Sequence, residues 1–231
     1  MAIKALLFGS IGAVAETSEI QREAYNRALA NAGISWSWDR DTYSELLEQA
    51  GGKERLAMLA RATGTPLSEE QIDAIHEDKT RIAGEIMRER GVTPRPGVTS
   101  LIEKAKADGI ALGFVTTTYE PNIDAVFEAA GGALKREDFA YIGTRGDVEA
   151  GKPAPDAYER ALAHLNLQSD EAVAIEDTAT SVMSAKRAGI HTVATPGELT
   201  SGQDFWQADK VVESLETTAG ELRREVAQML G

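Results

Sequence analysis

Cysteine is absent from the 231 residues, and histidine occurs only three times, at His76, His164 and His191. The first absence removes disulfides, thiolate catalysis and cysteine-ligated zinc together, and it suits a reducing compartment. The second leaves no two histidines at metal-ligand spacing, so each reads as a surface or satisfied side chain. No run approaches the ~18 apolar residues of a membrane span. Ala5 to Phe8 follows a single lysine without the long apolar stretch of a secretory leader, and a cytoplasmic protein is expected. Cations are outnumbered as well: 24 Lys and Arg against 37 Asp and Glu give a formal net charge of −13. Non-specific nucleic-acid binding needs clustered cations, and anionic membranes need the same, so both are argued against. A small phosphorylated ligand is not, because one lysine and a few oriented N–H groups can hold a phosphate inside an acidic protein.

What is present begins with a short apolar run, Lys4 to Phe8, ending at Gly9 and Gly12, the pattern of a buried strand entering a glycine-rich turn. From Ser18 to Arg90 the chain reads as helical. Ile72, Ile75, Ile82 and Ile86 share one helix face, Ser68 with Gln71 resembles a capping box, and Gly91 stands where a helix ends. After Pro94-Arg95-Pro96-Gly97, strands and helices alternate, as in a parallel sheet wound by helices. Strands are expected at Ala111–Thr116, Phe139–Ile142, Ala172–Ile175 and His191–Ala194, with an edge strand at Lys210–Val212. Helices are expected near Val98–Asp108, Pro121–Ala130, Asp156–Leu165 and Thr178–Ala188.

Ligands of such sheets gather beyond the carboxyl ends of the strands. Three ends carry chemistry. Glu176-Asp177 offers paired hard oxygen ligands suited to magnesium, or else Asp177 or Thr178 caps the next helix. Thr116 offers a hydroxyl to a phosphate oxygen, though threonine is also a good strand residue. Lys152, held between Gly151 and the Pro153–Pro155 segment, is a compact cation suited to a phosphoryl group, or else a solvated surface lysine.

In this order, Thr116, Lys152 and Glu176-Asp177 resemble motifs two, three and four of the haloacid dehalogenase (HAD) superfamily. More closely, Trp38-Asp39-Arg40, Gly51-Gly52-Lys53-Glu54-Arg55, Arg95-Pro96-Gly97, Thr116-Thr117-Thr118 and Lys152-Pro153 resemble the CbbY-type, β-phosphoglucomutase-like sugar-phosphate phosphatases. The resemblance spans nearly the whole chain. It implies an α/β fold: a Rossmann-like core at 1–15 and 93–231, a parallel sheet with helices on both faces, and an inserted α-helical cap at 16–92. It implies magnesium, phosphate contacts from Thr116, Thr117 and Lys152, and cap contacts from Glu16, Gln21, Gly52, Lys53 and Arg55. The implied ligands are phosphorylated sugars such as pentulose bisphosphates. Lys53, Glu54 and Arg55 are candidates for gripping a distal phosphate or sugar hydroxyl, or else form a surface charge cluster.

The resemblance fails most severely at the first motif. The first motif of the superfamily reads Asp-x-Asp-Gly-Thr, with a nucleophile and then a general acid/base, whereas this chain has Phe8-Gly9-Ser10-Ile11-Gly12-Ala13 and no aspartate before Asp39. Gly9 therefore stands at the nucleophile position and Ile11 at the acid/base position. A phosphoryl-aspartate cannot form without a carboxylate, and isoleucine cannot move a proton, a task worth about 10²–10⁴-fold in rate. Magnesium, which in the family also uses the first aspartate, is expected to bind weakly or not at all through Glu176 and Asp177. Ser10 is expected to point away from its neighbours with no histidine to activate it. Gln21 stands where a histidine is expected, and Ser181 where a glycine is usual. The expectation is a phosphate-ligand-binding pseudoenzyme that takes a small phosphorylated sugar or a protein partner. One alternative is an active hydrolase using a non-standard nucleophile such as a metal-held water, and another is a structural protein with a remnant site.

Overall fold

The computed structural model describes residues 3–48 and 51–216; the parts of the expected core at 1–2 and 217–231 lie outside the described residues. Six parallel strands form one sheet: β1 (Ala5–Phe8), β2 (Ala111–Val115), β3 (Tyr141–Gly143), β4 (Ala172–Glu176), β5 (His191–Ala194) and β6 (Lys210–Val211), in the order β3-β2-β1-β4-β5-β6. From β1 the chain moves outward to β2 and β3, then returns to β4 on the far side of β1. That reversal opens a crevice beside the carboxyl end of β1.

The strands are short and apolar because both faces are covered. Leu6, Phe8, Leu112, Phe114, Val173 and Ile175 point to one face, toward α6 (Val98–Ala107) and α7 (Glu120–Ala129). Ala5, Leu7, Val115, Ala172 and Ala174 point to the other, toward α8 (Asp156–Leu165) and α9 (Ala179–Arg187). This two-residue alternation is the side-chain period of a strand.

Before β2 the chain forms α1 (Ile11–Val14), α2 (Ser18–Asn31), α3 (Arg40–Leu46), α4 (Gly52–Thr63) and α5 (Glu69–Arg90). α5 starts at a complete capping box, in which Ser68 and Gln71 exchange side-chain and backbone bonds, and it ends at Gly91 with φ +75°. It packs along α2 and against α7. The two connections joining these helices to the sheet run side by side: Ala15 bridges Pro94, and Arg95 Nη1 and Nη2 donate to the carbonyls of Gly12, at 3.0 Å, and Pro196, at 2.7 Å. Among the described residues no helix is long and apolar enough to cross a membrane.

One expected strand moved. Phe139 does not begin β3; it ends a 3₁₀ turn at Arg136–Asp138 and turns its ring onto Phe114, Phe127 and Phe8 at centroid distances of 5.9, 5.6 and 6.3 Å. Aromatic packing into the core took the side chain that sequence pattern assigned to a strand.

Candidate functional site

The carboxyl ends of β1, β2 and β4 form the floor of a cavity of about 330 Å³, and α2, α3, α4 and α5 form its wall. Gly9, Ile11, Thr116, Thr117, Lys152 and Asp177 lie on the floor, while Gln21, Gly52 and Arg55 lie on the wall. Sequence-distant candidates thus meet at one place.

On the floor, Lys152 Nζ donates to Glu176 Oε1 at 2.6 Å and also to the Gly9 carbonyl. The Tyr158 hydroxyl donates to the same Glu176 oxygen at 2.6 Å. Glu176 is fully buried, does not line the cavity, and its Oε2 has no hydrogen-bond partner among the described residues. Burial holds its carboxyl above the ordinary range against the pull of Lys152. A Cβ added at Gly9 would overlap Glu176 Oε1 and the Tyr158 hydroxyl, so the absent side chain at position 9 is what lets this carboxylate and phenol come together behind the β1 turn. Ile11, 8% exposed, joins the apolar core.

Asp177 differs from its neighbour by facing the cavity. The two readings of this segment are divided between adjacent residues: Thr178 Oγ1 accepts from the Ser181 N–H and caps α9, which leaves the Asp177 carboxylate on the floor. Ser10 corrects another expectation. Its Oγ donates to Asp177 Oδ1 at 2.6 Å while accepting from the Ala13 N–H, so it turns toward the site rather than away from it. Burial raises the Asp177 carboxyl, and the Ser10 bond opposes that shift. Thr116 Oγ1 accepts from the Thr118 N–H at 3.1 Å, leaving its own O–H as a donor.

The wall holds groups that sequence reasoning missed. Lys79, 5% exposed, has its Nζ 5.0 Å from the Tyr25 ring centroid and no carboxylate within ion-pair distance among the described residues. Burial, then the charge of Arg55, lowers its ammonium to about 7. His76 is buried beside it, and burial with the charges of Lys79, Lys53 and Arg55 pushes it down to about 3, so the ring is neutral. Arg55 Nε donates to the Leu46 carbonyl at 2.7 Å, and its guanidinium lies over Tyr43 and Tyr25 at 5.5 and 5.9 Å. The signal for Lys79 was legible: it stands midway in the seven-residue gap between Ile75 and Ile82, a cation on an otherwise apolar stripe. Gln21 Oε1 and Asn122 Oδ1 also border the cavity without hydrogen-bond partners among the described residues.

Two expected cap contacts lie elsewhere. Glu16 accepts from the N–H groups of Ser18 and Glu198, both at 2.9 Å, and joins the start of α2 to the loop after β5. Lys53 pairs with Asp73 at 2.7 Å and lies 5.4 Å from the Tyr119 ring centroid, outside the cavity lining.

With this geometry in view, a family profile described as haloacid dehalogenase-like hydrolase matches residues 12–195. The chain belongs to that family. The match begins just past Gly9 and Ile11, which stand at the nucleophile and acid/base positions, and it includes the other departures at Gln21 and Ser181. Protein CbbY of Rhodobacter capsulatus is 39% identical over 219 residues, covering 95% of this chain and 96% of that protein. A crystal structure of mutant CbbY from Rhodobacter sphaeroides in complex with xylulose-(1,5)bisphosphate superposes with a TM-score of 0.87 at 39% identity, covering 93% of this chain and 95% of that one. A β-phosphoglucomutase from Clostridium difficile, with TM-score 0.81 and 21% identity over 98% and 97% of the two chains, shares the fold.

Haloacid dehalogenase-like hydrolases generally use magnesium, and the residues of this chain are a poor fit for it. Glu176 is turned to Lys152 and Tyr158, positions 9 and 11 carry no carboxylate, and Asp177 is the one carboxylate of the expected pair that lines the cavity. Among the described residues no three His, Asp or Glu side chains converge as ligands.

Proposed function

We propose that this chain binds phosphorylated sugars, with bisphosphates foremost, and does not hydrolyse them through an aspartyl intermediate. The observation that carries the reading is the floor at position 9: no carboxylate faces the cavity there, and Glu176 fills the space behind it as the partner of Lys152. The rest of the cavity favours an anion. Arg55, Lys79, Arg145 and Lys152 line it against Glu54 and Asp177, so a chain of net charge −13 keeps a locally cationic pocket. In this reading one phosphate meets Thr116, Thr117 and Lys152, and a second anionic group meets Arg55 and Lys79. Gln21 and Asn122 supply acceptors for sugar hydroxyls, and residues 16–92 close over the ligand as a cap. The complex of the CbbY relative with a pentulose bisphosphate supports this ligand class.

A second reading, hydrolysis by a non-standard route, draws on the 2.6 Å bond between Ser10 and Asp177, which puts a hydroxyl beside a carboxylate at the floor. Phosphate release from a panel of sugar phosphates, with and without magnesium, separates the two. A silent natural protein beside an active Gly9→Asp, Ile11→Asp double variant supports the binding reading. Turnover by the natural protein that Ser10→Ala or Asp177→Asn abolishes supports the second.

A further inference from the structure

Building on that reading, we infer that the site captures phosphate without a divalent cation, Lys152 supplying the positive charge and Glu176 acting as that lysine's fixed counter-ion rather than as a metal ligand. Magnesium demands near-octahedral oxygen geometry, keeps several of its waters and is held by carboxylates that face the phosphate. Here Glu176 is 0% exposed, and one of its oxygens, at the place a side chain on position 9 would take, is bound by both Lys152 and Tyr158. Its second oxygen is buried without a hydrogen-bond partner among the described residues, and Glu176 does not line the cavity. Asp177 has one oxygen bound by Ser10, and the other lies where a Cβ on Gly12 would be. The floor therefore presents the ion with one partly engaged carboxylate.

A phosphate finds more. Lys152 has three N–H donors and uses two, on Glu176 and on the Gly9 carbonyl, so one remains for the ligand beside the free hydroxyl hydrogen of Thr116. Loss of carboxylates at positions 9 and 11 also removes the repulsion that a metal would otherwise have to screen. Counting Glu176 with the lining residues leaves the cavity one charge positive when Lys79 is protonated and neutral when it is not.

The test is isothermal titration of the full chain with inorganic phosphate, once in EDTA and once in millimolar magnesium, with magnesium alone as a third titration. The expected result is a phosphate Kd unchanged within about threefold between the two buffers, no saturable heat from magnesium, and several-fold tighter phosphate binding in Glu176→Gln, which keeps the side-chain shape and removes the competing charge. Tightening of tenfold or more with magnesium, or saturable magnesium heat that Asp177→Asn removes, overturns the inference while leaving the phosphate-binding reading intact. Absence of phosphate heat and of any thermal shift in both buffers overturns that reading, and this inference with it. The wild-type comparison requires no substitution, so the result does not depend on whether a variant folds.

Discussion

At the sheet end of the cavity the lysine is matched: Lys152 lies 2.6 Å from Glu176, with Tyr158 on the same oxygen. At the cap end Lys79 is equally buried but has the face of Tyr25 and no carboxylate among the described residues. A matched buried pair is intolerant of losing one member, because the other is left as an uncompensated charge. An unmatched buried cation carries its desolvation cost in the empty protein and is relieved when an anion arrives. On the proposed reading the floor lysine meets a ligand while already locked in its pair, whereas the wall lysine gains a counter-charge only from the ligand, although both lie beside an aromatic ring.

The comparison breaks most visibly at Lys152. Replacement by alanine strands Glu176 and is expected to lower stability by about 3–5 kcal/mol. In urea denaturation, the Lys152→Met, Glu176→Leu double variant should recover most of that loss. An equal loss in both variants would mean that the pair is not the source. Lys79→Met should do the reverse. It leaves stability unchanged or raised while weakening a sugar bisphosphate by about 10–100-fold, the worth of a charge-assisted contact; inorganic phosphate should change little.

The same lysine sets a pH dependence. Its ammonium sits at about 7 in the folded chain against 10.5 when unperturbed. Between those values the unfolded chain holds the extra proton, so this residue makes stability rise as pH climbs from about 7 to 10.5. A bound anion raises the folded value, so bisphosphate affinity should fall as pH passes above about 7. Thermal melts and titrations of Lys79→Met, in which both slopes flatten, check the assignment.

Gly9→Asp alone should cost about 1–3 kcal/mol by overpacking against Glu176 and Tyr158, and adding Tyr158→Phe should return part of it. Full stability in the single variant would show that Glu176 moves aside freely. The smallest effect is expected far from either lysine: Ser68→Ala removes the α5 cap for about 1 kcal/mol and should leave phosphate binding alone.

Much of this was legible in the chain. The apolar strands, the Ser68 capping box and the Gly91 stop emerged as read, because they depend on residues close in sequence. Phe139 did not, since a ring with three aromatic neighbours drawn from other elements gains more in the core than on a strand. Lys79 went unread although it interrupts the apolar stripe of α5, because its burial depends on helices distant in sequence, and Ser10 was misread because its partner Asp177 lies 167 residues away.

The sequence by itself determined the fold class and the family motifs. It also determined the absence of any aspartate at positions 9 and 11, because composition and local pattern need no third dimension. Only the tertiary structure decided where the remaining charges go: that Glu176 turns back to Lys152 and Tyr158 while Asp177 faces the cavity, and that Lys79 is buried without a counter-ion. The physical reason is that a buried charge takes its direction from the partners within reach, and the fold alone brings together groups from β1, β4, α8 and the loop that carries Lys152.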